Sequence, residues 1–515
     1  MNDFIQLQND AHTFVEQATS YMAVTFILVV GFIALTIITM FILDVTQTAD
    51  AVRRNFPVIG RFRSLFTNLG EFFRQYFFAM DREEMPFNRA QRNWVDRAAA
   101  NKMMTSAFGS TNNCTTRGSS IFINCAFPVM DEEADHTLYR VVGEGRAKTP
   151  YKTKSFFNIS GMSFGALSAP AVKAMSHGAA MAGCWLNTGE GGLSPHHLEG
   201  GCDVVFQIGT AKYGVRTKDG QLSDDKLREV AALDQVKMFE LKLAQGAKPG
   251  KGGILPAEKV TEEIAHIRGI EPHTDSISPN RHPEVNSVGE LLDFINHIRD
   301  VTGKPVGFKT VFGSFGWFED LCKEINKRGV KSAPDFITID SGDGGTGAAP
   351  MALMDNVGLL IREALPGVVQ ILNEHNLKDE IKLIASGKLL MPTDVAWALC
   401  AGADFINCGR GFMFSVGCIQ AMRCNKNTCP TGVTTHNERL QKGLDPQSKA
   451  VKVANYAMNM TKEVEIIAHS CGVKSPMLLK PYHVRIVQAD GMSIPLSKVK
   501  VHIESQEGES IPAQH

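Results

Sequence analysis

The chain has 515 residues, enough for a large core and for two or more domains. Its 53 basic and 54 acidic residues nearly cancel, so no global basic field invites nucleic acid, and no aromatic–basic interleaving suggests a single-strand groove. Eleven cysteines spread through an enzyme-like composition argue against a small disulfide scaffold and fit a reducing compartment.

The amino end is distinct. Gln17 to Leu43 carries no charged residue, and Met22–Leu43 is almost wholly apolar. A spanning helix needs ~20 apolar residues, so 22–43 is expected to cross a membrane. A cleaved signal peptide would have a basic start and a shorter apolar core. Here residues 1–21 hold Asp3, Asp10 and Glu16 and no Lys or Arg. Arg53, Arg54, Arg61 and Arg63 follow the span. The positive-inside rule then places the amino end outside and the body of the protein in the cytoplasm.

Residues 44–84 read as a juxtamembrane segment. FRSLFTNLGEFFRQYFFAM (62–80) sets Phe and Leu at helical spacing among arginines. That pattern suits a helix on the membrane surface or one packed on the main domain. In REEMPFNRAQRNWVDRAA (82–99), Trp94 and Val95 are expected to pack, and Arg89 and Arg92 to be solvated or paired.

From about 150 to 445, short β-branched runs alternate with helical stretches. The runs are VGFKTV (306–311), FITID (336–340), IKLIAS (381–386) and DFINCG (404–409). The helical stretches include VGELLDFINHIRDVT (288–302) and PTDVAWALCAG (392–402). Such alternation predicts an α/β fold of parallel βα units. Periodicity alone leaves an open sheet and a closed barrel both available. Gly-rich and polar segments after successive strands favour a (β/α)8 barrel, whose βα loops build the site.

Three late loops are candidates for binding phosphate through backbone N–H groups. They are GDGGTG (342–347, with Asp343, Gly344 and Gly345), SGK (Ser386, Gly387, Lys388) and CGRG (408–411, with Gly409 and Arg410). Glycine lets the backbone approach an anion, and Lys388 and Arg410 supply charge. Lys309 stands at a strand end in an apolar run, where an unpaired charge is costly, so a functional role is expected. His196 and His197 have no metal partners at recognisable spacing and read as structural or surface residues.

Cys418, Cys424 and Cys429 lie in GCIQAMRCNKNTCPTG, spaced C-x5-C-x4-C. Soft sulfur ligands at that density suit an iron–sulfur cluster or zinc. Zinc usually takes four ligands, often in C-x2-C pairs that are missing here. Three ligands suit a three-iron cluster better than a cubane. A polar loop containing Asn and Gly is a poor place to bury three unrelated thiols. Beyond it, 449–470 predicts a helix and ESQEGESIPAQH (504–515) a frayed tail.

SGMSFGALS (160–168), NTGEGG (187–192), QIGTAKYGVR (207–216), ELKLAQGAKPGKGG (240–253), GDGGTGAAP (342–350) and the cysteine loop follow one another in this order. Over roughly residues 85–445 the chain thus resembles the FMN- and iron–sulfur-containing synthase domain of glutamate synthase. The resemblance implies a (β/α)8 barrel holding FMN and a three-iron (3Fe-4S) cluster on Cys418, Cys424 and Cys429. It also implies reduction of the 2-iminoglutarate made from 2-oxoglutarate and ammonia. By the same resemblance, Ser163, Gln207 and Lys309 approach the flavin. Lys248 and Arg268 match residues that hold 2-oxoglutarate, with Lys242 upstream on the same element, and Glu190 stands near the ammonia route. The chain departs from the family's pattern at three points. The second phosphate loop reads ASGK in place of DGG, Lys251 stands where Glu is usual, and Ile254 where Gln is usual.

The family's long enzymes add a glutaminase and a β-helical domain, for which these residues leave no room, so ammonia is expected from outside. No second Rossmann fingerprint is visible, and an electron-donor protein or a membrane quinone is expected in place of NAD(P)H. Two other readings stay open. One is an amine or amino-acid dehydrogenase that feeds the membrane chain. The other is a tethered electron-transfer subunit without turnover of its own.

Overall fold

The computed structural model describes residues 2–47, 51–78 and 80–501; the 504–515 tail lies outside them. The chain divides into two compact units, Met1–Ala90 and Gln91–His515. In the first, α1 runs from Asn2 to Thr46, and its His12–Thr46 portion is long and apolar enough to cross a membrane. Arg61, near the start of α2 (Gly60–Phe73), pairs with Asp44 at 2.8 Å, and the Val58 N–H donates to the same carboxylate at 2.9 Å. This corner turns the chain from α1 into α2. Phe62, Leu65, Phe66 and Leu69 of α2 are exposed and recur at helical spacing along one face.

The second unit is built on eight parallel strands that close into a barrel in sequence order. They are β1 (Phe157–Ile159), β2 (Leu186–Asn187), β3 (Val204–Ile208), β4 (Val236–Lys242), β5 (Val306–Thr310), β6 (Phe336–Asp340), β7 (Lys382–Ser386) and β8 (Phe405–Cys408). β8 pairs back onto β1 through Asn407 and Asn158, which closes the ring and removes every sheet edge. The four strands expected from sequence appear within a residue of their bounds, the helix Val288–Thr302 appears as expected, and the expected 392–402 helix ends two residues early, at Cys400. Strands buried on both faces read as continuous β-branched runs, which is why these were legible.

Each face of the barrel has its own chemistry. At the N-terminal end of the strands, Tyr151, Trp185, Val205, Met238, Phe336, Ile384 and Phe405 form a packed apolar layer. Asp335, fully buried, accepts from Arg146 and Arg299 at 2.8 Å each and from the Val306 N–H at 2.8 Å. That end serves stability; the loops at the C-terminal ends of the strands are left to build a site.

After β1 comes α3 (Ala169–Ala182), capped by Ser168 accepting from the Ala171 N–H at 3.3 Å. The final helix, α4 (Pro446–Ser470), packs along α3. The two approach so closely that a Cβ on Gly178 would stand 2.4 Å from Val453 Cβ and 2.7 Å from the Ala450 carbonyl. Within the same unit Val95 is fully buried and Trp94 meets Tyr456 edge-on at 5.9 Å, as their apolar character predicts. Gly178→Val is therefore expected to destabilise the barrel unit by about 2 kcal/mol through overpacking. Chemical denaturation of the full chain checks this, and an unchanged midpoint would contradict it.

Candidate functional site

One cleft opens at the C-terminal ends of the strands, and its floor is polar. Glu240, on β4, is 1% exposed and accepts hydrogen bonds from Asn187 Nδ2 at 2.8 Å, Gln207 Nε2 at 2.6 Å and Thr338 Oγ1 at 2.5 Å. Four strands thus meet at one carboxylate. Lys309, on β5, pairs with Asp340 of β6 at 3.1 Å. Burial pushes Lys309 down, yet Asp340 and Glu240 outweigh it and hold the ammonium above the usual lysine value. Asp340 also accepts from the Gly246 N–H at 3.0 Å, which anchors the loop after β4.

That loop carries the cationic wall. Lys242 pairs with Glu190 at 2.9 Å and donates to Gln245 Oε1 at 2.6 Å. Burial pushes the Glu190 carboxyl up, but Lys242 and Lys248 outweigh it and bring it to about 2. Glu190 is wedged between glycines: a Cβ on Gly209 or Gly253 would lie 2.6 Å or 2.4 Å from its atoms. Lys248 is 6% exposed, and among the described residues its ammonium has no hydrogen-bond or ion-pair partner. Burial, reinforced by Lys242, lowers Lys248 to about 8. Arg268 donates only to neutral groups, Ser276 Oγ at 2.9 Å, Ser163 Oγ at 3.4 Å and the Phe164 carbonyl at 3.4 Å, while its buried Nε has no partner. Three cations against one carboxylate leave an excess of positive charge, the condition for holding a small dianion.

The opposite wall is glycine-rich. Gly387 has φ +108, and a Cβ there would stand 2.4 Å from Ser341 Cβ. Lys388 pairs with Asp343 at 3.0 Å. Arg410 donates to the Thr346 carbonyl and lies under Gly345, whose Cβ would come within 3.0 Å of it. Gly345, Ser386, Gly387, Lys388, Gly409 and Arg410 line the cleft; Asp343 and Gly344 do not. Asp343 is turned toward Lys388 and Ser341, and the Gly344 N–H is spent on the Ser341 carbonyl at 2.9 Å, so both support the loop from behind.

The cysteine loop approaches from the β8 side. Cys424 lines the cleft, and Arg410 Nη1 lies 3.8 Å from its sulfur. Cys418 and Cys429 do not line the cleft. Burial holds the Cys418 thiol above its usual value. Burial also pushes Cys429 up, but hydrogen bonds from Thr431 and Thr434 outweigh it and bring that thiol below. Among the described residues no three ligands converge on a point suited to a single metal ion. A multinuclear cluster places each thiolate on its own iron and does not require that convergence.

Ser163, Glu190, Gln207, Lys242, Lys248, Arg268 and Lys309, drawn from six separate segments, all reach this cleft. His197 is fully buried, with Nε2 2.8 Å from the Met162 carbonyl, and so holds the loop after β1. Sequence reasoning passed over Glu240, Asp340 and Lys259. Glu240 carries the same signal that marked Lys309, a charge inside an apolar strand.

Residues 102–474 match the conserved region in glutamate synthase. The glutamate synthase large subunit-like protein YerD of Bacillus subtilis is 40% identical over 507 residues, covering 90% of this chain and 96% of that protein. The archaeal glutamate synthase [NADPH] of Methanocaldococcus jannaschii is 32% identical over 364 residues, covering 68% of this chain and 65% of that enzyme. The chain therefore spans less than two thirds of that relative's length. Among solved structures, the flavin-binding domain of baker's yeast flavocytochrome b2 aligns with a TM-score of 0.43 at 15% identity, over 79% of this chain and 82% of that one.

The unpaired Lys248 sets a pH signature. Its charged form, present below about pH 8, is the one that holds an anion. Glu190, at about 2, stays ionised throughout the neutral range. Affinity for a small dicarboxylate is expected to fall by up to roughly tenfold per pH unit above that point. In Lys248→Arg the fall should disappear. Titration calorimetry from pH 6.5 to about 9.5 reads this out, and a flat profile in the unsubstituted protein would contradict it.

Proposed function

Because the chain belongs to the glutamate synthase family, we propose that its barrel is an FMN- and iron–sulfur-dependent oxidoreductase forming glutamate from 2-oxoglutarate and ammonia. One observation carries this reading. A single cleft is lined at once by two cations that form no ion pair among the described residues, a glycine-rich wall backed by Lys388 and Arg410, and a cysteine of the three-cysteine loop.

The residues present fit both cofactors. On the FMN side, Gly345 and Gly387 line the cleft where the backbone packs too tightly on Arg410 and Ser341 for any side chain, and Lys388 and Arg410 are the cations for its phosphate. Ser163, Gln207 and Lys309 are the candidates for the ring. On the cluster side, Cys418, Cys424 and Cys429 offer three soft sulfur donors from one loop, with Cys424 beside Arg410. When bound, FMN supplies two-electron reduction of an imine, and the cluster supplies electrons one at a time.

The chain's own groups do the rest. Lys248 and Arg268 hold the two carboxylates and so fix the orientation of the bound acid. With its carboxyl at about 2, Glu190 is too weak a base to take a proton from ammonium at neutral pH. It accepts a hydrogen bond and orients ammonia instead. Lys248, at about 8, can exchange a proton near neutral pH. Lys309 keeps its charge and presents a fixed cation to the barrel centre.

The helix His12–Thr46 supports membrane anchoring, with the span at 22–43 and the barrel on the cytoplasmic side. The exposed apolar face of α2 suits the adjoining membrane surface. An electron-donor protein or a quinone is the partner this implies. A second reading has its own support: Ile254 is 44% exposed and lines the cleft, an apolar group where the family carries an amide. It favours oxidation of a different amino acid into the membrane chain.

The test is glutamate formation from 2-oxoglutarate and ammonium by protein in detergent with a chemical one-electron donor. Lys248→Met should lower kcat/KM by roughly a hundredfold, the loss of a charged hydrogen bond worth about 3 kcal/mol. A cofactor-loaded preparation that neither binds 2-oxoglutarate nor makes glutamate would overturn the reading. Turnover of another amino acid by the same preparation would establish the second.

A further inference from the structure

Lys259 ends a short 3-10 turn, Ala257–Lys259, beyond the hairpin strand Ile254–Leu255. Its side chain is 1% exposed and donates to two carbonyls, Ala166 at 3.0 Å and Cys424 at 3.1 Å. One carbonyl belongs to the loop that carries Ser163. The other belongs to the cysteine loop. Three more contacts fasten the same joint. Asn427 Nδ2 donates to the Glu258 carbonyl at 3.2 Å, His436 Nε2 donates to the Gly165 carbonyl at 2.7 Å, and Arg268 reaches the Phe164 carbonyl at 3.4 Å. The substrate-side cation wall, the loop after β1 and the cysteine loop are thereby tied together.

The charge on Lys259 needs an explanation of its own. Among the described residues no carboxylate lies within ion-pairing distance of it. A buried cation without a counter-charge is costly. The Lys259 ammonium meets the cysteine loop at the Cys424 carbonyl, so the sulfurs on that loop are its nearest source of counter-charge once a cluster is bound. Arg410, 3.8 Å from the Cys424 sulfur, adds a second cation beside that thiol.

We propose that Lys259 is a positioning residue that fixes the cysteine loop against the substrate-side loops and offsets the negative charge of its thiolates. The charge half rests on the cluster reading above; the positioning half stands on the two carbonyl contacts. Lys259→Met removes donor and charge, Lys259→Gln keeps a donor without the charge, and Lys259→Arg keeps both.

Two measurements on the full chain, purified without oxygen, separate these roles. Hydrogen exchange of the amides in 424–430 should quicken in Lys259→Met and stay near the unsubstituted rate in Lys259→Arg. This readout does not depend on iron. In the iron-loaded protein, a redox titration followed by EPR should place the midpoint of Lys259→Gln below that of the unsubstituted chain, since losing a nearby cation favours the oxidised form. Lys259→Arg should restore it. Unchanged exchange in Lys259→Met overturns the positioning role, and an unchanged midpoint in Lys259→Gln overturns the charge role. Absence of iron from the unsubstituted protein would count against the cluster reading, and with it the charge role, leaving the exchange result to decide positioning alone.

Discussion

The arrangement depends on charged groups held inside a closed barrel. Closing eight strands turns side chains from Asn187, Gln207, Glu240, Lys309, Thr338 and Asp340 toward one another, where none can be left unpaired without heavy cost. Glu240 gathers three donors, and Lys309 is matched by Asp340. The same Asp340 holds the Gly246 N–H, so the floor of the barrel fixes the loop that presents Lys248. The Leu243 and Ala244 N–H groups also donate to the Lys309 carbonyl, so a disturbance at the floor would reach the cation wall directly.

Above the floor, the distribution of charge decides the chemistry. Lys242 pairs with Glu190, whereas among the described residues Lys248 and Arg268 form no ion pair. Lys248 is drawn toward neutrality by burial, and a bound carboxylate would restore its charged form, so binding and protonation are linked. On the other side, Arg410 touches both the glycine wall and the Cys424 sulfur. One arginine therefore connects the wall suited to a phosphate with the loop suited to a cluster. The N-terminal end of the barrel, by contrast, is closed by apolar packing and by the Asp335 ion pairs, and contributes rigidity.

Much of this was legible beforehand, for physical reasons. Strands buried on both faces are mostly apolar and β-branched, which made Phe336–Asp340 readable to the residue. Lys248 was singled out because its loop resembles the family's substrate loop, and it lines the cleft. Other residues resisted. Asp343 and Gly344 sit in a glycine-rich loop that does border the cleft, yet only three-dimensional register shows that Gly345 onward faces inward while Asp343 turns to Lys388. Glu240 had a readable signal, a charge inside an apolar strand, but its partners come from three other strands and spacing does not reveal them. Lys259 was hidden because its role is defined by carbonyls at Ala166 and Cys424, far away in sequence. The corner at Asp44 and Arg61 likewise depends on a pairing that spacing alone does not reveal.

The most direct measurement is an absorbance and EPR spectrum of protein purified in detergent without oxygen, with FMN and iron quantified in the same sample. The account predicts flavin bands, about one FMN and about three irons per chain, and an EPR signal in the oxidised state. Flavin without iron would remove the cysteine loop from the electron route. Neither cofactor, in a preparation that is folded and free of oxygen, would contradict the account at its centre.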